Sequence, residues 1–218
     1  MKELDIWHNL YELRGSTHGH MPLTKDIVDF FKRVAKEVKP KNILEFGTNL
    51  GGSAALQLSV NPKAKLVSFD PKTWEAHSAI YNDDSFIKMH SKLFGKTPAV
   101  GLLHLIFGAE RFQFVNRSSK WVQDIVEDKF DYAFIDGSHT YLDAYNDIQN
   151  CIDLEIPYLV IDNIATDEDA SAKRVQVKAA VDQFADQLEE IDSVEYEIVH
   201  PITEKVTHDK CILFKVNR

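Results

Sequence analysis

The chain has 218 residues and a formal net charge of −9. This length is enough for one large α/β domain with an ample core. The acidic balance argues against a nucleic-acid backbone as the main partner, because binding phosphates requires a basic surface. No apolar run approaches the ~20 residues of a membrane span, and charged residues precede any signal core. The sequence therefore predicts a cytoplasmic protein without a membrane partner. Its two cysteines, Cys151 and Cys211, are too far apart to suggest a disulfide framework or a thiolate metal site.

The first two predicted elements are helices. Apolar residues at helical spacing within residues 1–23 predict a short amphipathic helix ahead of the core. A firmer helix follows Thr24, whose hydroxyl suits an N-cap, and ends before Pro40. We take residue 24 as the start of a single domain that runs to residue 218.

The next stretch, residues 41–71, reads as strand, tight turn and helix. Strand-forming residues 43–46 meet a glycine-rich turn, and an alanine- and leucine-rich segment suited to a helix begins at Ser53. A second strand ends at Asp70, and such an acid about 20 residues after a glycine turn is how βαβ units hold a nucleoside.

The turn departs from the dinucleotide fingerprint G-x-G-x-x-G, because Asn49 stands where the second glycine would let the backbone touch pyrophosphate. The pattern is instead E-x-G-T-x-x-G-x-S, and an acid at the strand end would repel a diphosphate but suits a cationic ligand. In this form the stretch resembles the first motif of class I S-adenosylmethionine-dependent methyltransferases. The resemblance implies that the glycine loop wraps the methionine part of S-adenosylmethionine, that Asp70 pairs with the ribose and that Glu45 orders the loop. The cofactor-binding residues that it implies here are Glu45, Gly47, Thr48, Asn49, Gly51, Ser53 and Asp70. The alternative is that the glycines only serve a tight turn.

A long connection follows Asp70. The next strand, residues 112–115, begins about 40 residues later, roughly twice what a simple crossover needs. We therefore treat about 72–110 as an insert, which could be an acceptor lid, a dimerisation surface or extra core. The loop after strand 112–115 is where the family contacts adenine, so the resemblance assigns Ser118 and Ser119 to the cofactor. Both serines are also ordinary helix N-caps.

Two later strands end in acids. Residues 130–135 read as a buried strand that ends at Asp136, and the strand 157–161 ends at Asp162 and Asn163. Successive parallel strands deliver these side chains to the same sheet edge. The sequences D-G-S-H-x-Y and I-D-N resemble the metal-assisted small-molecule O-methyltransferases of catechol and macrolide-sugar type. The resemblance implies a metal at Asp136, Asp162 and Asn163, whose oxygen atoms suit magnesium.

The expected reaction moves the methyl group of S-adenosylmethionine to a hydroxyl of a small molecule. We predict His139 as the general base, since its ordinary pKa near 6.5 suits proton removal close to neutral pH. Asp136, three residues earlier, is the second predicted catalytic residue and also a cofactor contact. The alternatives are that His139 caps its helix or pairs with a carboxylate, that Asp136 contacts only the cofactor, and that Asp162 caps the segment after its strand.

The remainder predicts a helix over about 170–188 and two strands at 195–199 and 211–216. We therefore predict an α/β fold with a doubly wound, mostly parallel, seven-stranded Rossmann-like sheet and a C-terminal antiparallel hairpin. An NAD-binding domain would instead continue with parallel βα units. The rival functions are a non-catalytic nucleoside-cofactor-binding module and an NAD-dependent oxidoreductase. The resemblance covers roughly residues 24–218, with the N-terminal segment and the insert outside it. Because this family often carries its N-terminal segment over the substrate mouth, we expect residues 1–23 to form a lid, with a polar surface loop as the alternative. It leaves monomer or homo-oligomer open.

Overall fold

A computed structural model of the protein describes Lys2 and residues 24–49, 51–71, 98–165, 172–199 and 206–217. The predicted lid, apart from Lys2, and the first part of the predicted insert lie outside the described residues. Within the described ranges, no helix has the length and apolar character needed to cross a membrane.

Helices and strands alternate along the chain. In order they are α1 (Lys25–Val38), β1 (Asn42–Phe46), α2 (Gly52–Val60), β2 (Lys65–Phe69), α3 (Pro98–Phe107), β3 (Phe112–Val115), a 3-10 turn (Ser119–Trp121), α4 (Val122–Ile125), β4 (Tyr132–Ile135), α5 (Tyr141–Asp153), β5 (Tyr158–Ile164), α6 (Ala172–Asp182), β6 (Leu188–Val199) and β7 (Val206–Val216). Thr24 caps α1 as predicted, its hydroxyl accepting a hydrogen bond from the Ile27 backbone N–H.

The strands form one seven-stranded sheet in the order β3-β2-β1-β4-β5-β7-β6. The first five run parallel, whereas β7 is antiparallel to both β5 and β6. This confirms the predicted doubly wound sheet and its antiparallel C-terminal hairpin. The strand order reverses between β1 and β4, and ligands of open α/β sheets bind at such a point, beyond the carboxyl ends of the strands.

Alternate side chains of each strand bury against helices on the two faces of the sheet. On β1, Ile43 packs with α1, α2 and α3, whereas Leu44 packs with α5 and α6. Because both faces are covered, the central strands are apolar throughout apart from a few buried polar residues. Those exceptions, including Glu45 and Asp162, lie at or near the carboxyl edge.

Two sequence expectations need correction or refinement. The helix predicted over about 170–188 ends at Asp182, and Leu188 already begins β6. Phe184 and Leu188 are buried, as a helical spacing would require, but they are carried by a turn and a strand. Within the predicted insert, α3 belongs to the core, because Val100, Leu102, Leu103 and Phe107 are buried against α1 and α2.

Candidate active site

The residues singled out by the sequence lie at the carboxyl edge, where the strand order reverses. Gly47 follows β1, Asp70 follows β2 and Asp136 follows β4, while Asp162 and Asn163 lie at the end of β5. The loop after β1 and the end of β4 approach each other closely. A Cβ atom on Gly47 would lie 2.1 Å from the Asp136 carbonyl oxygen, and Gly47 has a φ of 98°, so no other residue fits there without a shift of the backbone.

Glu45 is fully buried and forms the centre of a polar cluster beneath the glycine loop. Its Oε1 accepts hydrogen bonds from Ser53 Oγ at 2.7 Å and Gln57 Nε2 at 3.0 Å, and its Oε2 accepts one from Ser68 Oγ. Because these donors come from α2 and β2, the Glu45 carboxylate of β1 joins these two elements beneath the loop. The loop-ordering role that the resemblance implies for Glu45 stays a prediction.

The surrounding hydroxyls extend this cluster. Thr48 is buried, and its Oγ1 shares a hydrogen bond of 2.5 Å with Ser68 Oγ. Tyr132 on β4 donates its hydroxyl to Gln57 Oε1. Gln57, Ser68 and Tyr132 were not identified from the sequence, although each stands as a polar residue within a buried apolar element.

Burial is the main reason that the pKa of Glu45 is raised to about 7. The nearby Asp70 also raises this pKa, whereas the hydrogen bonds from Ser68, Ser53 and Gln57 lower it. The protonated form is therefore favoured in the folded protein relative to the unfolded chain.

Asp70 is attached directly to the glycine loop. Its Oδ2 accepts a hydrogen bond of 2.8 Å from the Asn49 backbone N–H, and Asn49 has a positive φ of 40°. A hydrogen bond of 2.7 Å from the Gly51 N–H to the Thr48 carbonyl closes the turn. These two hydrogen bonds connect the predicted ribose acid to the predicted methionine loop and close that loop.

The three predicted metal ligands come together as the sequence pattern suggested. The Asn163 side-chain amide donates to Asp136 Oδ1 at 3.0 Å and to Asp162 Oδ2 at 3.1 Å, so it lies between the two carboxylates. Asn163 adopts a left-handed φ of 59° beside an irregularity in the β5–β7 pairing. Asparagine tolerates this conformation better than most residues, and here it turns the amide toward both acids.

Asp162 is buried and Asp136 is half-buried, and two acids so close together disfavour simultaneous ionisation. Burial raises the pKa of Asp136 well above its ordinary value, and the neighbouring Asp162 raises it further. Burial also raises the pKa of Asp162, although a hydrogen bond from Tyr196 favours its charged form. Within the described ranges, no three histidine, cysteine or acidic side chains cluster so as to hold a metal ion, so the candidate set is two aspartates and one asparagine.

The predicted adenine contacts lie in the 3-10 turn after β3. Ser118 accepts a bond from the Lys120 N–H, which is the capping role given as the alternative. The Ser119 side chain bonds to the buried Asp147, and its backbone carbonyl accepts a bond from Asn150 Nδ2 at 3.3 Å. Helix α5 therefore supports this turn.

His139, the predicted base, is half-buried in the loop between β4 and α5, three residues after Asp136. His139 therefore lies shortly after the end of β4, where Asp136 lies. Asp147 was missed, but its spacing from Ala144, Ile148 and Cys151 places it on the buried face of α5, which helical periodicity could have revealed.

The C-terminal hairpin supplies further polar residues that the sequence did not reveal. Tyr196 Oη donates to Asp162 Oδ1 at 2.6 Å. Asp209, which is fully buried, pairs with Arg174 of α6, whose Nη2 lies 2.8 Å from Asp209 Oδ2. Tyr196 stands between the exposed Glu195 and Glu197, and Asp209 follows the exposed His208, so strand alternation is the signal that could have located both on the inward face.

A seven-stranded sheet of this order, with a glycine loop after β1 and acids after β2 and β4, defines a class I methyltransferase fold. A family model described as a methyltransferase domain matches residues 44–164, which is more than half of the chain. The chain therefore belongs to this methyltransferase family, as the sequence motifs predicted. No curated protein shows significant sequence similarity to it.

Solved structures with the same fold cover the full chain. One is a protein from Klebsiella pneumoniae provisionally assigned as an O-methyltransferase, with 16% identity, a TM-score of 0.65 and coverage of 99% of this chain and 90% of its own. A second is an O-methyltransferase from Bacillus cereus in complex with SAH, with 15% identity, a TM-score of 0.63 and coverages of 99% and 91%. A third is TomG from Streptomyces achromogenes, an O-methyltransferase in complex with SAM, with 16% identity, a TM-score of 0.63 and coverages of 100% and 91%.

The raised pKa of Glu45 predicts a pH-dependent stability. The protonated Glu45 carboxyl contributes fully to the free energy of unfolding below about pH 4.5. This contribution is lost as the pH rises through about 7. Between pH 4.5 and 8 we expect the wild type to lose on the order of 3 kcal/mol of unfolding free energy relative to Glu45→Gln, measured by urea denaturation. Glu37→Gln, at an exposed position on α1, is the control and should follow the wild type. Parallel profiles for wild type and Glu45→Gln would contradict this interpretation.

Proposed function

We propose that the protein is an S-adenosylmethionine-dependent O-methyltransferase that methylates a hydroxyl of a small molecule with the help of a magnesium ion. The observation that carries the proposal is the Asp136–Asn163–Asp162 cluster. It lies at the same sheet edge as the glycine loop, so a cofactor methyl group and a chelated acceptor hydroxyl would meet there.

The cofactor part is supported by the hydrogen bond that joins Asp70 to the glycine loop. Asp70 Oδ2 holds the Asn49 N–H, and the carboxylate remains partly exposed at the strand end, where a ribose would lie. The structures of similar fold from Bacillus cereus and Streptomyces achromogenes contain SAH and SAM. By analogy, we assign Gly47, Thr48, Asn49 and Gly51 to the loop around the methionine part, with Glu45 and Ser53 supporting it from below.

The donor set fits a magnesium ion. The Asn163 amide N–H group occupies the position between the two carboxylates that a positive charge would favour. Rotating this amide by half a turn replaces the donor with the carbonyl oxygen, which gives three hard oxygen ligands. A cation there would also remove the repulsion that raises the pKa of Asp136.

When bound, the metal would lower the pKa of an acceptor hydroxyl and orient a chelating pair of oxygens. The chain's own residues bind and align the reactants. Asp70 and the glycine loop bind the cofactor. Asp136 lies against the glycine loop through its backbone carbonyl, and its side chain would bind the metal that holds the acceptor. His139 accepts the acceptor's proton, so the oxygen can attack the methyl carbon in line with the departing sulfur. A vicinal diol is the acceptor class that would offer such a metal two neighbouring hydroxyl oxygens.

We predict that Asp70→Ala weakens S-adenosylmethionine binding at least about tenfold, because it removes an acceptor for the ribose hydroxyls and releases the Asn49 N–H. Isothermal titration calorimetry measures the effect. Asp128→Ala, an exposed acid beside the amino end of the sheet, is the matched control and should bind normally. Equal affinity for the two variants would argue against this cofactor site.

We predict that methyl transfer requires a divalent cation. SAH formation with a panel of vicinal diols, catechol among them, should stop after exhaustive chelation and return on addition of Mg²⁺. Asp162→Ala should not recover, because it removes one of the three ligands. Calorimetry with S-adenosylmethionine on the chelated enzyme controls for folding. Full turnover without metal would exclude a catalytic ion, and cofactor binding without turnover of any acceptor would favour a non-catalytic module.

We predict that His139→Ala lowers kcat by about 10² to 10⁴ at saturating acceptor and Mg²⁺, because the general base is lost. Cofactor affinity should stay within twofold of the wild type. His208→Ala, on the exposed hairpin beside Glu197, should retain kcat. Near wild-type turnover in His139→Ala would place the base elsewhere.

A further inference from the structure

Tyr196 makes the most specific contact to the proposed metal site from outside it. It lies on β6 and is almost fully buried, and it reaches past β7 to donate its hydroxyl to Asp162 Oδ1 at 2.6 Å. The other carboxylate oxygen, Oδ2, faces the Asn163 amide and, through it, Asp136. The two oxygens of Asp162 are thus committed to different partners.

This arrangement limits how Asp162 can bind a cation. With Oδ1 held by Tyr196, Oδ2 is the oxygen that shares the Asn163 amide with Asp136, so Asp162 would bind through that one oxygen. Mg²⁺ requires octahedral geometry with short bonds and usually takes single carboxylate oxygens, whereas Ca²⁺ is larger and often takes both oxygens of a carboxylate.

We propose that Tyr196 is a positioning residue that restricts Asp162 to a single metal-facing oxygen and thereby makes the site selective for Mg²⁺ over Ca²⁺. The inference rests on the proposed metal site and adds the origin of its selectivity. Partners of metal ligands commonly have such an effect, because they fix the orientation of the ligand.

The hairpin also removes a competing ligand. Asp209 lies opposite Tyr196 in the β6–β7 pairing and is a further acid, fully buried, near Asp136 and Asp162. Its carboxylate is paired with the Arg174 guanidinium, which keeps it from acting as a further anionic ligand. A larger coordination shell, of the kind that Ca²⁺ prefers, is therefore disfavoured on this side as well.

The test measures cation selectivity on the full chain. Mn²⁺ binding is followed by the electron paramagnetic resonance signal of the free ion, and Mg²⁺ or Ca²⁺ is added as competitor. In the wild type, Mg²⁺ should displace Mn²⁺ at a concentration at least about tenfold lower than Ca²⁺ does. In Tyr196→Phe, we expect this ratio to fall below about threefold, because Asp162 is free to turn both oxygens inward.

Tyr132→Phe is the matched control, since it removes another buried tyrosine hydroxyl that donates to Gln57 rather than to a metal ligand. Its selectivity ratio should equal that of the wild type. If Tyr196 only satisfied a buried polar atom, Tyr196→Phe would lower the melting temperature or weaken all cations equally, and an unchanged ratio would overturn the inference while leaving the metal site intact.

Two further outcomes are decisive. A wild type that does not bind Mn²⁺ would overturn both this inference and the metal part of the proposed function, but not cofactor binding, which calorimetry tests separately. If Tyr196→Phe does not fold, a crystal structure of the wild type with Mg²⁺ decides the question. Asp162 bound through Oδ2 alone, with Tyr196 still on Oδ1, supports the inference, and a bidentate Asp162 overturns it.

Discussion

The backbone contact between the loop after β1 and the end of β4 is the constraint on which the candidate site depends. Gly47 approaches the Asp136 carbonyl so closely that a single methyl group would separate the two strands' ends. The glycine loop and the Asp136 side chain therefore share one wall at the point where the strand order reverses. A movement of the glycine loop would therefore also displace Asp136, the first residue of the proposed metal site.

Buried charge is the second organising feature of this edge. Each buried acid has partners of a different kind: serine and glutamine side chains for Glu45, tyrosine and asparagine for Asp162, and arginine for Asp209. Removing carboxylates from water is costly, so these partners decide which acids remain available for ligands. Glu45 and Asp209 are occupied by protein donors, whereas Asp136 and one oxygen of Asp162 meet only the asparagine amide in the hydrogen bonds described above.

Local sequence patterns predicted the strand-turn-helix unit, the parallel sheet and the meeting of Asp136, Asp162 and Asn163, because each depends on periodicity and on the ends of neighbouring strands. The residues that support them were not predictable in the same way. Tyr196 lies 34 positions from Asp162, and Gln57 reaches Glu45 from α2 while Tyr132 of β4 donates to Gln57, so only the folded chain brings them together. The end of α6 was misplaced because Phe184 and Leu188 fit a helical spacing as well as the turn and strand that carry them.

The left-handed backbone of Asn163 restricts what this position can become. At a φ of 59°, glycine, asparagine and aspartate are the residues that incur little strain. Of these, glycine has no side chain to place between Asp136 and Asp162, and aspartate would add a third negative charge to a pair that is already crowded. The left-handed φ and the need for a neutral polar side chain between the two acids thus both favour asparagine at position 163. Glycine or aspartate would fit the backbone but would not meet the second requirement.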